Sequence, residues 1–92
     1  MRIEILRGNR VEVALVTGDE MLIKDVQSAL DLIATVDYET GCNHVILNKA
    51  AICEDFFDLS TKIAGDILQK FVTYNMKIAI LGDFSSYKRF HL

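Results

Sequence analysis

The sequence predicts an α/β domain in which helices pack on a mixed sheet of about four strands, in the order ββαβαβ. Two observations support this prediction. Four short segments are alternating or continuously apolar, as strands are, and two longer segments place apolar residues at helical spacing. The chain has 92 residues, the length of one domain, so residues 1–92 are expected to form a single unit.

The chain opens with a predicted antiparallel hairpin. Residues 2–6 alternate between polar and apolar side chains, and Gly8-Asn9 is a typical turn pair. Residues 11–16 begin by alternating and end fully apolar. We therefore expect the second strand to be the more buried of the two.

The first helix is predicted to begin after Asp25, a favourable N-cap residue, and to continue to about Val36. Gly41 follows the next polar residues and suits a C-terminal cap. An apolar stripe at helical spacing is expected to face the sheet. It consists of Ile23, Val26, Leu30, Ile33 and Ala34.

A strand, a second helix and a final strand complete the predicted order. Residues 44–47 form a short apolar run, typical of a strand that helices cover on both faces. Residues 60–73 have helical spacing and include Gly65, which costs about 1 kcal/mol relative to alanine and indicates a close approach to the sheet. Residues 77–81 form the fourth strand. Because strand–helix–strand crossovers join parallel neighbours, the last three strands should be parallel and the first antiparallel.

Composition excludes one class of function and favours an interface. The net charge of −3 argues against nucleic-acid binding through a basic face, because that mode needs cations to replace counterions. The apolar share is 51 % and the charged share only 25 %, which is apolar for a small domain with much surface. We therefore expect a homodimer or another buried interface.

Cys42 and Cys53 are the only cysteines, too few for a disulfide framework, so a reduced, cytoplasmic protein is expected. With His44 as the only nearby histidine, they cannot complete a metal site. No segment resembles a signal peptide or approaches the roughly 18 apolar residues of a membrane span. No catalytic, metal or nucleotide motif is specific enough to name a reaction, so we expect no cofactor and, on balance, no enzyme.

The loops after the parallel strands form the first candidate site. Such loops meet at one edge of an α/β sheet, where ligands commonly bind. Asp19, Lys49 and Asp83 are the charged candidates there. They favour a small polar site, although strand ends need turn and cap residues in any case.

The loop that enters the second helix is the second candidate site. Its acidic and hydroxyl residues can bind a partner, or simply cap the helix through side-chain oxygens. Phe56 and its neighbour Phe57 can form an exposed recognition pair or seat the helix on the core, with one of the two facing inward. The candidates are Glu54, Asp55, Phe56, Asp58, Ser60 and Thr61.

Several motifs resemble a bacterial family of domains of unknown function, numbered 4180. They are Ile46-Leu-Asn-Lys49, Glu54-Asp-Phe-Phe-Asp-Leu59, Ala64-Gly65, Ile67-Leu-Gln-Lys-Phe71 and Leu81-Gly-Asp-Phe-Ser85. The resemblance covers about residues 13–87 and brings no established activity. Members of the family continue into a further helix and strand, so this chain resembles a C-terminally short member.

That family is in turn similar to the STAS superfamily of sulfate-transporter and anti-sigma-antagonist domains. The similarity implies a mixed sheet with packed helices and a partner surface around the loop that enters the second helix. In anti-sigma antagonists this loop contains a serine that a kinase phosphorylates. Here Leu59 stands in that position, Ser60 in the position of a second serine and Thr61 in place of a glycine.

We therefore expect a non-enzymatic regulatory or interaction domain that binds a protein partner through residues 54–71 and self-associates. One alternative is a small-molecule or nucleotide-binding domain that uses Asp19, Lys49 and Asp83. Another is a short inhibitor-type protein that competes for the partner of a longer relative.

Overall fold

A computed structural model of the chain describes residues 1–82 and contains a four-stranded mixed sheet over that range. The strands are β1 (Arg2–Arg7), β2 (Glu12–Thr17), β3 (His44–Asn48) and β4 (Lys77–Leu81). They lie in the order β1-β2-β3-β4, with β1 antiparallel to β2 and the other pairs parallel. The predicted α/β class, element order and strand directions are confirmed.

The hairpin forms as the sequence predicts. Ile3 is the register partner of Val16, and the Gly8 N–H donates to the carbonyl of Val11 at 2.8 Å to close the turn. Val16 is buried whereas most of β1 is exposed, so β2 is indeed the more buried strand.

Helix α1 (Val26–Thr40) begins at a capping box, since Asp25 accepts a hydrogen bond from the Ser28 N–H while the Ser28 hydroxyl receives one from the Asp25 N–H. Gly41 is the C-cap in a left-handed conformation, and its N–H reaches the carbonyl of Asp37 at 2.9 Å. The predicted end near Val36 is therefore one turn early, because the polar residues that follow continue the helix until the glycine ends it.

The buried face of α1 also differs from the predicted stripe. Ile33 is buried as expected, but Ala34 is exposed and Leu30 is only half-buried. The buried face is therefore rotated about the axis of α1 relative to the predicted stripe. Its buried residues are Ala29, Leu32, Ile33 and Val36.

Helix α2 (Ile63–Thr73) starts three residues later than predicted. Lys62 adopts a left-handed conformation with a φ of 61°, which interrupts the helix on its N-terminal side. Gly65 is exposed, and a Cβ built there would meet nothing within 4 Å. The predicted close approach of Gly65 to the sheet is therefore wrong. Ile67 and Phe71 make the buried face instead.

Both helices pack on the same face of the sheet. Their buried residues belong to a single core cluster with Ala14 and Val16 of β2 and with Val45 and Leu47 of β3. Side chains alternate along a strand, so the remaining residues of β2 and β3 point to the opposite face. The prediction that helices cover both faces of β3 is wrong for residues 1–82. Val45 and Leu47 are buried on one face of β3, whereas His44 and Ile46 on the other face are half-buried.

Candidate functional site

The loop that leads into α2 is built from two consecutive 3-10 turns, Glu54–Phe57 and Leu59–Thr61. Phe56 and Phe57 are both buried, with ring centroids 5.1 Å apart in an edge-to-face arrangement. An exposed recognition pair is therefore wrong, and the alternative, in which one of the two rings faces inward, is correct for the core contact but not for the number of rings. Phe56 therefore anchors this loop to the core and offers no surface to a partner, whereas Glu54 and Asp55 are exposed.

Asp58 organises the second turn. Its carboxylate accepts hydrogen bonds from the Ser60 hydroxyl at 2.7 Å and from the Ser60 N–H at 3.0 Å. These bonds favour the charged form, so the hydroxyl first and the N–H second hold the pKa of Asp58 below its usual value. Asp58 therefore caps the 3-10 turn Leu59–Thr61 through its bonds to Ser60, and neither side chain caps α2.

Thr61 fixes the junction between that turn and α2. Its hydroxyl lies 2.7 Å from the carbonyl oxygen of Asp55 and 2.8 Å from that of Asp58, and its oxygen lies 3.4 Å from the N–H of Ile63. Phosphorylation of Thr61 would break these contacts. The Ser60 hydroxyl is exposed, but a phosphoryl group there would face the Asp58 carboxylate.

An apolar cleft lies between the C-terminal half of α2 and the edge strand β4. Val72 on its rim is 71 % exposed, and Leu59 in the preceding turn is 66 % exposed. The cleft has a volume of about 500 Å³. It is lined by Leu68, Phe71, Val72, Asn75, Met76, Lys77 and Ile78.

The loops at the carboxyl ends of the parallel strands do come together. The N–H groups of Leu22 and Ile23 donate to the carbonyl of Ala51 at 2.7 and 3.0 Å. Ile23 also forms an isolated parallel bridge with Ile52. The loop after β2 is thereby tied to the chain that follows β3.

Of the charged residues predicted at this edge, Lys49 lies against Gly82, where an added Cβ would be 2.6 Å from the Cβ of Lys49. Asp19 is exposed in the loop after β2, and its neighbour Glu20 pairs with the amino group of Met1 at 2.6 Å. That hydrogen bond is the main reason that the pKa of Glu20 is lowered. Asp83 lies outside the described residues.

Two further clefts lie at the opposite edge of the sheet, where β3 begins. The first, of about 500 Å³, is lined by Arg7, Arg10 and His44 together with Glu12, whose carboxylate is 3.8 Å from the Arg7 guanidinium. The second, of about 480 Å³, lies between Leu30 of α1 and Tyr74 after α2. Neither cleft is lined by Asp19, Lys49 or any residue from 54 to 61.

The two cysteines are free thiols in different surroundings. Cys42 is buried, and the half-buried Cys53 points its thiol toward the carbonyl of Lys24 at 3.6 Å. Across residues 1–82 no three His, Cys, Asp or Glu side chains are grouped closely enough to hold a metal ion. Over the same range, neither helix has the length and apolar character needed to cross a membrane.

Comparison with family models gives a match over residues 8–91 to the family described as Domain of unknown function (DUF4180). The chain belongs to this family. No curated protein and no solved structure matched the chain.

The sequence did not predict two surfaces of this DUF4180 domain. The cleft beside α2 was missed because the helical spacing of apolar residues in 60–73 does not reveal that Val72, one of them, is exposed. The sheet face that no element of residues 1–82 covers was missed because the apolar run of β3 was attributed to burial on both sides. The outward-facing Leu15 and Ile46 carry the signal for it, since both are apolar at positions that alternate away from the core.

Proposed function

We propose that this DUF4180 domain is a non-enzymatic regulatory or protein-interaction module that binds a protein partner through residues 54–71 and also self-associates. The observation that carries the first part is the apolar cleft between α2 and β4, which Leu68 and Phe71 of this range line together with residues 72–78 that follow it. Exposed Val72 on a helix and a half-buried Ile78 on a sheet edge give a partner apolar surface to cover.

Acidic residues at the N-terminal end of α2 favour a partner of one kind. Asp55 and Asp58 are exposed in the turns before α2, and Asp66 is exposed in its first turn. A partner that places an apolar side chain in the cleft and basic residues against the acidic N-terminal end of α2 would complement both features. Exposed charges of this type chiefly affect the association rate and the choice of partner.

The strand and helix order supports relating the domain to the STAS superfamily, in which the loop entering the second helix contacts the partner. The corresponding loop here is rigidly anchored by Phe56 and presents Leu59 outward. Leu59 would then contact the partner directly instead of serving as a phosphorylation switch. A cytoplasmic, bacterial setting is part of the same proposal.

The proposal is tested by affinity capture of partners from a lysate of the source organism. The chain and two exposed-site variants, Val72→Lys in the cleft and Tyr38→Lys on α1, would be compared after chemical cross-linking and mass spectrometry. Tyr38 is 91 % exposed and lies on the other helix, which makes it a matched control. We expect one partner to be recovered with the chain and with Tyr38→Lys, and lost with Val72→Lys.

Cross-linked residues would decide where the partner binds. Cross-links from Lys62 and Lys70, which flank and lie within α2, support the proposal. Equal recovery by all three proteins, or cross-links confined to the hairpin, would contradict it.

A further inference from the structure

We infer that the sheet face left uncovered by α1 and α2 binds the same face of a second copy of this chain, as a weak two-fold dimer. This inference rests on the self-association part of the proposed function and names the surface responsible for it. The face is defined by the residues of β1–β4 that alternate away from the core. Its apolar members are Leu6, Val13, Leu15, Ile46, Ala79 and Leu81.

The face is apolar at its centre and charged at its edges. Leu15 and Ile46 are register partners in the middle two strands, and Ala79 continues the same row on β4. Glu4 ends this row on β1. Lys77 lies on β4 as the register partner of His44. An apolar centre with charged margins is the usual anatomy of a protein interface.

Its size favours a weak dimer. With four strands at about 4.8 Å spacing and three outward residues per strand at about 6.7 Å separation, the flat area is roughly 380 Å². A stable interface buries about 800 Å² of accessible surface on each partner. Six of the twelve outward positions in this area are apolar, and the whole face is below standard interface size, so we expect a dissociation constant in the micromolar range or weaker.

The edge charges select a second copy in one orientation. Glu4 lies on one edge strand and Lys77 on the other. A two-fold axis parallel to the strands places β1 over the β4 of the second copy, so that Glu4 lies over the partner's Ala79, one outward-facing position along β4 from the partner's Lys77, twice in each dimer. A two-fold axis perpendicular to the strands would instead place Glu4 over the partner's Glu4, which is repulsive.

The same axis also matches the apolar centre. It places β2 over the β3 of the second copy, so Leu15 packs on the partner's Ile46, with the two sheets about 10 Å apart. Within one chain, Arg2 lies 3.4 Å from Glu4, but an exposed pair of this kind contributes little and leaves Glu4 able to bond across the interface. The face is therefore complementary to itself, as a two-fold interface requires.

A charge exchange in the full chain tests the orientation without disturbing the core. Sedimentation equilibrium from roughly 10 µM to 1 mM spans the affinities expected of a small interface. Glu4→Lys alone and Lys77→Glu alone should each weaken dimerisation roughly 3- to 10-fold, and the double variant should restore it. Leu15→Thr, which introduces a β-branched residue that favours strands, should weaken it by roughly tenfold or more.

Isotope-filtered NMR on a mixture of labelled and unlabelled full chains identifies the occupant. Contacts between Leu15 and Ile46 of different molecules support the inference. A strict monomer throughout the concentration range overturns it, as does a dimer that neither the single charge variants nor Leu15→Thr affects. Contacts from Leu15 only to residues 83–92 of the same molecule, or only to an unrelated protein, also overturn it.

The outcome is separable from partner binding. If Val72→Lys abolishes partner recovery while the chain stays monomeric, the partner-binding proposal stands and the dimer is wrong. If the charge exchange restores dimerisation while no partner depends on Val72, the dimer stands and the partner-binding proposal is wrong.

Discussion

Leu15 and Ile46 are register partners on adjacent parallel strands, and both point away from the core that α1 and α2 cover. Their sequence neighbours, Val16 and Leu47, are register partners on the opposite face and are buried. A single residue step along either strand therefore separates the stability core from a candidate interface.

Substitutions that differ by one residue on β3 should reveal this alternation. Leu47→Ala should lower the free energy of unfolding by about 2–5 kcal/mol, because it leaves a cavity in the core. Ile46→Ala should cost less than about 1.5 kcal/mol, because its side chain keeps solvent on one side. Urea unfolding at low protein concentration, where no dimer contributes, measures both. Equal losses would show that both faces of β3 are covered.

The alternation explains why the sequence predicted the fold better than the site. The order of the elements and the directions of the strands follow from short apolar runs separated by crossovers. Asp25 and Gly41 mark the two ends of α1. A run such as residues 44–47 does not say whether its second face meets a helix, solvent or another molecule. That depends on which side of the sheet each crossover takes, and here both helices pack on one side.

Local backbone geometry accounts for the remaining errors. A helix from residue 60 is reasonable by apolar spacing, yet Lys62 in a left-handed conformation separates the turn at 59–61 from α2. Periodicity contains no information on such a break at a non-glycine residue. Similarly, Phe56 and Phe57 are equivalent in sequence, and only the 3-10 turn directs both rings inward.

Two glycines should respond oppositely to alanine. Gly65→Ala should raise the free energy of unfolding by about 0.5–1 kcal/mol, because the site is exposed, helical and unobstructed. Gly82→Ala should lower it by roughly 1–3 kcal/mol, because the new methyl group would lie 2.6 Å from the Cβ of Lys49. Thermal unfolding followed by circular dichroism compares the two.

A rescue variant identifies the cause at Gly82. Lys49→Gly removes the clashing Cβ, so it should be less destabilising in the Gly82→Ala background than in the natural chain. Lys49→Ala retains that atom and should give no such relief. Additive effects of Lys49→Gly and Gly82→Ala would contradict a direct clash.

Acid sensitivity should depend on the N-cap of α1. The Ser28 N–H first, and then its hydroxyl, holds the pKa of Asp25 below its usual 3.8. A carboxylate with a lowered pKa in the folded state stabilises the protein above pH 3.8, and that contribution is lost as the pH falls further. Asp25→Asn keeps an N-capping side chain but cannot titrate.

Melting temperatures from pH 7 to pH 2.5 provide the measurement for Asp25. Asp25→Ala should melt several degrees below the natural chain at pH 7, whereas Asp25→Asn should remain close to it. Below pH 3.8 the difference between the natural chain and Asp25→Ala should shrink. A difference that stays constant down to the lowest pH would refute the linkage between this carboxylate and stability.

The turn before α2 makes a more local prediction. Because the Ser60 hydroxyl is the larger cause of the lowered pKa of Asp58, Ser60→Ala should shift that pKa upward toward its usual 3.8, while the Ser60 N–H keeps part of the effect. Carboxyl ¹³C titration by NMR reports the pKa of Asp58 directly. Ser60→Thr retains a hydroxyl and should leave the value nearly unchanged. An equal shift in Ser60→Thr and Ser60→Ala would mean that packing of the turn, and not the hydroxyl, sets the charge state of Asp58 on the proposed partner surface.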